Sequence, residues 1–298
     1  MSTRPCVLVF AGHDPSGGAG IAADMQAITA LGAHALCVVT ALTVQDNNRV
    51  QEVAPVDPAL LRRQARALIA SCEIAAVKVG IPGSAANAAA IAALIAELRA
   101  LPAAMQAGGP SSAYTQPAAA PAASPAGVPQ PGGTAQHGAA RARGALPATA
   151  VRRCLPVVVD PVLASGKGDP LARGSALEAL RLLLPHAMLL TPNSIEAAAL
   201  GGAVDTVPHV LQTGGHDGGS VVVNRWRHAG LERSWHWPRL DGEYHGSGCT
   251  LAAAAAALLA QGRAMEEALD LAQAYTHSTL QAAYAIAAGQ RIPLRHLT

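Results

Sequence analysis

Short runs of apolar, mostly β-branched residues recur along this chain, separated by longer stretches of helical periodicity. That alternation constrains the fold more than any other feature. Residues 6–11 (CVLVFA), 35–43 (ALCVVTALT), 75–81, 156–160 (PVVVD) and 187–191 (AMLLT) read as strands. Between them, residues 21–31 read as a helix that Gly32 ends, and Asp57-Pro58 opens a second helix to about Cys72. Ser84 caps an alanine-rich helix to about Leu101, and residues 175–184 form another. Strands that stay apolar without interruption are covered on both faces. Their alternation with helices implies right-handed crossovers and a mainly parallel sheet, hence an α/β fold.

Hydrophobic residues make up 51% of the chain but aromatics only 3%, so the core must be built from Ala, Val, Leu and Ile. A length of 298 residues fits one large domain. Residues 102–150 break the rhythm: they are Ala, Pro, Gly, Ser and Gln with few large apolar side chains. Such a stretch cannot offset its ordering entropy by burial, so it reads as a disordered surface insertion in a domain spanning 1–298. A second irregularity lies at 201–212. The strand end at 191 enters a helix, and another strand reads at 209–213, which leaves little room for a parallel crossover. Either a helix is lacking there, or the second strand is absent or lies elsewhere.

A net charge of +2 predicts neither a nucleic-acid footprint nor a basic membrane surface. The five cysteines (Cys6, Cys37, Cys72, Cys154, Cys249) are scattered and lack CxxC spacing, which points to a reducing, cytoplasmic setting. The start of the chain lacks the apolar stretch of a secretory signal. The longest apolar run, 251–260, is too short to span a bilayer.

Three places carry chemistry. His245-Gly246-Ser247-Gly248-Cys249-Thr250 runs into an Ala/Leu helix. A glycine turn at a helix start aims free N–H groups and the positive end of the helix dipole at one spot. Such a spot stabilises charge on a transferring phosphoryl group. Cys249 stands in the first turn, where a thiol pKa is expected to fall, making it a base toward a substrate hydroxyl. Read alone, the hexapeptide is equally a glycine turn with a buried cysteine. Second, Gly12 to Gly20 (GHDPSGGAG) follows the first strand without forming a P-loop, and Asp24 lies on the helix it opens. Third, Asp160 and the TPNSIE segment holding Asn193 and Glu196 stand at strand C-terminal ends, where open parallel sheets bind ligands. Two carboxylates there suit Mg²⁺. Alone, each also fits a turn or capping role.

Taken together, AGHDPSGGAGIAADMQA, VVTALTVQDN, AVKVGIPGS, VVVDPVLASGKGDPL, TPNSIEAAAL, GGH and HGSGCTLAAA resemble the ribokinase-like superfamily, and within it the bacterial hydroxymethylpyrimidine/phosphomethylpyrimidine kinases. Sugar kinases of the superfamily usually carry aspartate where Cys249 stands, which favours the pyrimidine and pyridoxal branch. The resemblance implies a ribokinase-like three-layer α/β/α domain and ATP- and Mg²⁺-dependent phosphorylation of a hydroxymethylpyrimidine, then of its monophosphate. It implies Cys249 as the catalytic residue and Gly246, Ser247 and Gly248 as the anion hole. It also implies Gln45, Gly12 and Asp24 at the substrate, Asn193 and Gly215 at the nucleotide, and Asp160 and Glu196 at the metal. The partner is a small pyrimidine; homodimers are common in the superfamily. Thr213 departs from the pattern, because members often carry lysine before Gly-Gly-His; Lys167 is a candidate substitute. A pyridoxal-type kinase and a pyrimidine-binding protein with impaired phosphotransfer remain the alternatives.

Overall fold

A computed structural model describes residues 4–101 and 155–296, so the expected insertion at 102–150 lies outside the described residues. The chain begins with strand β1 (Cys6–His13), helix α1 (Gly20–Ala30), β2 (His34–Gln45), β3 (Val50–Pro55), α2 (Pro58–Ser71), β4 (Ile74–Val79) and α3 (Ala85–Ala100). After residue 155 follow β5 (Val157–Val159), α4 (Ala176–Leu183), β6 (Leu189–Leu190), α5 (Ser194–Leu200), β7 (His209–Gln212), β8 (Val221–His228), β9 (Leu231–Pro238), α6 (Ser247–Ala260) and α7 (Met265–Gln281).

Local chemistry sets the expected boundaries. Asp57 accepts from the Leu60 amide at 2.9 Å and Pro58 opens α2. Ser84 accepts from Asn87 at 3.2 Å at the start of α3. Gly32 takes a positive φ of 83°, and its N–H bonds to Thr29 O at 3.0 Å just beyond α1.

The nine strands among the described residues form one sheet in the order β3-β2-β1-β4-β5-β6-β7-β8-β9. Pairs from β2 through β7 are parallel; β3, β8 and β9 are added antiparallel at the edges. The pairing of β4 with β5 joins sequence from both sides of the 102–154 segment into one sheet. Leu8 and Phe10 pack on one face with Leu61, Ile91 and Leu180 of α2, α3 and α4. Val7, Val9 and Ala11 pack on the other with Ile28 of α1, alanines 252–257 of α6 and Leu269 of α7. These three layers are the expected architecture.

The irregularity at 201–212 has a simple resolution. No strand is displaced: β6 and β7 pair in parallel, Leu189 opposite His209. The crossover consists of α5 followed directly by a 3₁₀ helix, Gly201–Thr206, so a compact helical unit replaces a longer helix. The β8–β9 hairpin that follows was not legible as a pair of strands. Its alternation of arginines and tryptophans (NRWRH, ERSWHWP) gains an inner face from α7: Asn224 donates to Gln273, Trp235 to Asp270 and Trp237 to Gln273, with Trp226 in the core.

Candidate active site

The candidate residues gather at the C-terminal ends of the parallel strands. β1 ends in the Gly12–Gly20 loop, β5 delivers Asp160, and β6 runs into Pro192 and Asn193. Asn193 makes a parallel bridge with Thr213 at the end of β7.

The two glycine loops touch. Gly246 has φ +82°, and a Cβ there would lie 2.1 Å from the Gly18 carbonyl oxygen. A Cβ on Gly18 would in turn meet the His245 ring at 2.3 Å. Glycine is required at both positions by close approach, and at Gly246 also by backbone conformation. Gly246 caps α6 without a side-chain acceptor, so the amides of Ser247, Gly248 and Cys249 are left to point out of the helix start.

Asp14 ties the loops together. Its carboxylate accepts from Ser16 N (2.8 Å), Ser16 Oγ (2.9 Å) and Ala19 N (2.8 Å), and lies 2.8 Å from His245 Nε2. Burial opposes its ionisation, but hydrogen bonds from His245, Gln45 and Ser16 outweigh it and hold the carboxyl well below the usual range. Gln45 is thereby placed at the same junction.

Behind the glycine loops lies a buried polar cluster. Lys78 Nζ is 2.9 Å from Asp24 Oδ2, and both side chains are fully buried. Burial works against the Lys78 charge, but Asp24, Cys249 and Asp160 around it keep it protonated. Asp24, expected at the substrate, is placed in this cluster. The carboxylate is sealed under the site, burial pushes it up, and the Lys78 cation is its partner. Gly12 also takes a structural part: a Cβ there would lie 2.5 Å from the Ile81 side chain.

The thiol of Cys249 donates toward Asp160 and accepts from the Gly20 amide. Contrary to the expectation of a lowered pKa, burial pushes the thiol up to about 12. Lys78 pulls it down, but Asp160 and Asp24 reinforce the rise. Desolvation and two acids outweigh the helix terminus.

Asp160 and Glu196 face each other electrostatically. Burial is the main cause that lifts Asp160 to about 6, and burial followed by Asp160 lifts Glu196 to about 8. Glu196 also completes a capping box: its Oε2 accepts from Asn193 N at 2.9 Å while Asn193 Oδ1 accepts from Glu196 N at 2.8 Å. The capping and site readings of Glu196 are therefore compatible. Among the described residues, the buried Asp160 Oδ2 has no hydrogen-bond partner.

Gly215 sits in a loop gathered around Arg239. That guanidinium donates to the carbonyls of Gly219 (2.7 Å), Gly215 (2.8 Å), Gly214 (3.3 Å) and Asp217 (2.5 Å). Lys167, the candidate substitute for the missing lysine, is instead paired with Glu243 at 2.5 Å.

Three contributors escaped the sequence reading. Lys78 had a signal, a lysine inside an otherwise apolar strand, which is rarely buried unless paired. Arg239 and Arg295 had none, because their partners are backbone carbonyls and side chains brought in by the fold.

Known proteins resemble this chain in sequence and in fold. A model of the phosphomethylpyrimidine kinase family matches residues 14–107 and 145–294, running unbroken across 201–212. The hydroxymethylpyrimidine/phosphomethylpyrimidine kinase of Streptomyces coelicolor is 31% identical over 306 residues, covering 96% of this chain and 93% of that protein. The protein of the same name from Mycobacterium tuberculosis is also 31% identical, covering 96% and 92%. Among solved structures, the pyridoxal kinase of Staphylococcus aureus in complex with pyridoxal superposes with a TM-score of 0.72 at 21% identity, covering 99% of this chain and 94% of that one. The phosphomethylpyrimidine kinase of Clostridium difficile gives 0.65 at 24% identity, covering 93% and 100%. At these identities the structures speak for the fold alone. No helix among the described residues is long and apolar enough to cross a membrane.

Proposed function

The chain belongs to the phosphomethylpyrimidine kinase family, and from that premise we propose how its residues divide the work of phosphoryl transfer. The protein phosphorylates hydroxymethylpyrimidine and then its monophosphate, using ATP, in thiamine biosynthesis. The observation that carries the reading is the convergence of the Cys249 thiol, the Asp160 carboxylate and the glycine-capped start of α6.

In the reaction the substrate hydroxyl oxygen bonds to the γ-phosphorus. The bond from that phosphorus to the bridging oxygen breaks, ADP leaves with the electron pair, and the hydroxyl proton must be taken up. Little covalent work falls to the protein; it positions groups and stabilises charge. The amides of Ser247, Gly248 and Cys249 meet the charge on the transferring group. Gln45, whose amide offers both a donor and an acceptor, reads the pyrimidine edge from the Asp14 junction.

Cys249 receives the hydroxyl proton, but only as a thiolate. The free thiol is protonated, so its proton first leaves to solvent as the site fills. Lys78, the Gly20 amide and the start of α6 favour that ionisation.

Asp160 and Glu196 fit a Mg²⁺ ion. They are oxygen donors, an Asp160 oxygen lacks a partner, and each carboxylate is raised as expected of acids awaiting a cation. Among the described residues no group of three or more His, Cys, Asp or Glu stands together to hold a metal. A cation here would rest on two carboxylates, water and phosphate, the usual habit of Mg²⁺. When bound it neutralises phosphate charge. Asn193 and Gly215, at the ends of β6 and β7, line the nucleotide side.

The test is an ADP-release assay on purified protein with hydroxymethylpyrimidine, its monophosphate and pyridoxal offered separately. Turnover of the two pyrimidines is expected. Turnover with pyridoxal alone, or pyrimidine binding without ADP release, would overturn the reading.

A further inference from the structure

We propose that Arg295 is a positioning residue for the transfer step, holding the loop before α1 and the loop before α6 at the separation the reacting groups need. The inference rests on the kinase reading above. Arg295 lies in the segment after α7, outside every motif, yet it is only 1% exposed. Its Nε donates to Thr250 Oγ1 at 2.8 Å, Nη2 to the Gly18 carbonyl at 2.6 Å and the Gly246 carbonyl at 3.3 Å, and Nη1 to Gln26 Oε1 at 3.2 Å.

None of these partners is a carboxylate. A buried charge is costly unless paired or fully hydrogen-bonded, so this one is retained where neutral acceptors converge on it. Two of the acceptors belong one to each glycine loop, and the other two, Gln26 and Thr250, to the helices those loops open. Gly18 and Gly246 approach so closely that no Cβ fits between them, and a planar fork suits two such carbonyls better than an ammonium does.

The consequences reach the chemistry through two peptide groups. A trans peptide points its N–H opposite to its C=O. The Gly246 carbonyl accepts from Thr250 N at 3.0 Å, from Thr250 Oγ1 at 2.8 Å and from Arg295 at 3.3 Å, so Arg295, which also holds Thr250 Oγ1, helps keep the Ser247 amide aimed out of the helix start. The Gly18–Ala19 peptide is held at both ends: Arg295 takes its carbonyl, and Asp14 takes its N–H at 2.8 Å. Asp14 in turn holds His245 and Gln45. One guanidinium thus sets the anion-hole amides and the substrate-side junction against each other.

The segment carrying Arg295 is itself stitched to the site. Asn47 Nδ2 donates to the Gln290 carbonyl at 3.0 Å, His245 N to the Arg291 carbonyl at 2.9 Å, and Leu294 N to the Thr279 carbonyl at 3.0 Å.

The experiment compares kcat, both KM values and Tm for wild type and Arg295→Lys, with the folded active fraction measured by active-site titration. Lysine keeps the charge but not the fork. The expected result is a fall in kcat of about 10²-fold per active site, the size of a small misplacement of reacting groups, with KM for ATP little changed. Unchanged kcat per active site, with any loss confined to Tm or active fraction, would falsify the proposal. If Arg295→Lys does not fold, Thr250→Val removes one anchor while leaving the guanidinium. There kcat should fall by roughly tenfold, a milder misplacement, and an unchanged value overturns the idea. Wild type without turnover would instead bring down the kinase reading itself.

Discussion

At the scale of single residues, the site is a balance between burial and charge. Cys249 illustrates it: position at a helix start argues for a low pKa, and burial, reinforced by Asp160 and Asp24, decides for a high one. Replacing Cys249 with alanine should lower kcat by roughly 10²–10⁴, the range for a lost positioned base. Steady-state kinetics check this, and near-normal turnover would remove the assignment. Asp160 and Glu196 give a prediction about pH. With folded values of about 6 and about 8, both carboxyls hold protons that the unfolded chain has already released. Their contribution to stability is therefore present at low pH and lost as pH rises through those values. In chelator, Tm should fall as pH is raised from the ordinary carboxylate range toward about 8, and Glu196→Gln should flatten the upper part of the fall. A Tm that rises over this window in wild type would contradict it. The types of these residues were legible in the sequence; their ionisation was not, since it depends on neighbours contributed by α1, β4 and β5.

At the scale of elements, the clearest dependence of sequence on packing is α6. Alanines 252–257 are all fully buried, flanked by α1, α7 and the sheet. A helix buried on all sides needs small side chains to let its neighbours approach. Interiors are already close-packed, so added methylenes force strain. Ala255→Leu should cost about 1–3 kcal/mol in denaturant unfolding. Because α6 carries the anion hole at its start, kcat should fall as well; tolerance of leucine would mean that α6 is loosely held. Strands and helices with uninterrupted apolar runs or sharp caps were readable, as at Asp57, Ser84 and Gly32. The compact crossover between β6 and β7 was not. The helix entered after 191 and the strand at 209–213 were legible, but the 3₁₀ turn that completes the crossover has no periodicity of its own, and the pairing of Leu189 with His209 shows that both strands are in place. The β8–β9 hairpin was hidden for the opposite reason: its polar and aromatic alternation gains meaning only against α7, whose Asp270 and Gln273 accept from its inward side chains.

At the scale of the whole molecule, the family match stops at residue 107 and resumes at 145, bracketing the low-complexity stretch. Leu101 and Leu155, which flank the segment outside the described residues, line one small cavity with Ile69, Cys72, Ile74 and Leu98. Ends that meet can be joined by a short linker, and loop length contributes only slowly to closure entropy. Replacing residues 108–144 with a short Gly/Ser linker should leave Tm and kcat close to wild type, as measured by thermal unfolding and the ADP-release assay. A large loss of either would show that this stretch belongs to the working enzyme. Taken alone, the sequence determined the layered α/β plan, the strand ends where ligands bind and the glycine loops, because periodicity, caps and turns are written in neighbouring residues. Tertiary structure alone decided that Asp24 is a buried counter-ion, that the Cys249 thiol is protonated when free, and that Arg295 joins two loops from the far end of the chain. Solvent exclusion and charge pairing are set by residues distant in sequence, so no local pattern carries them.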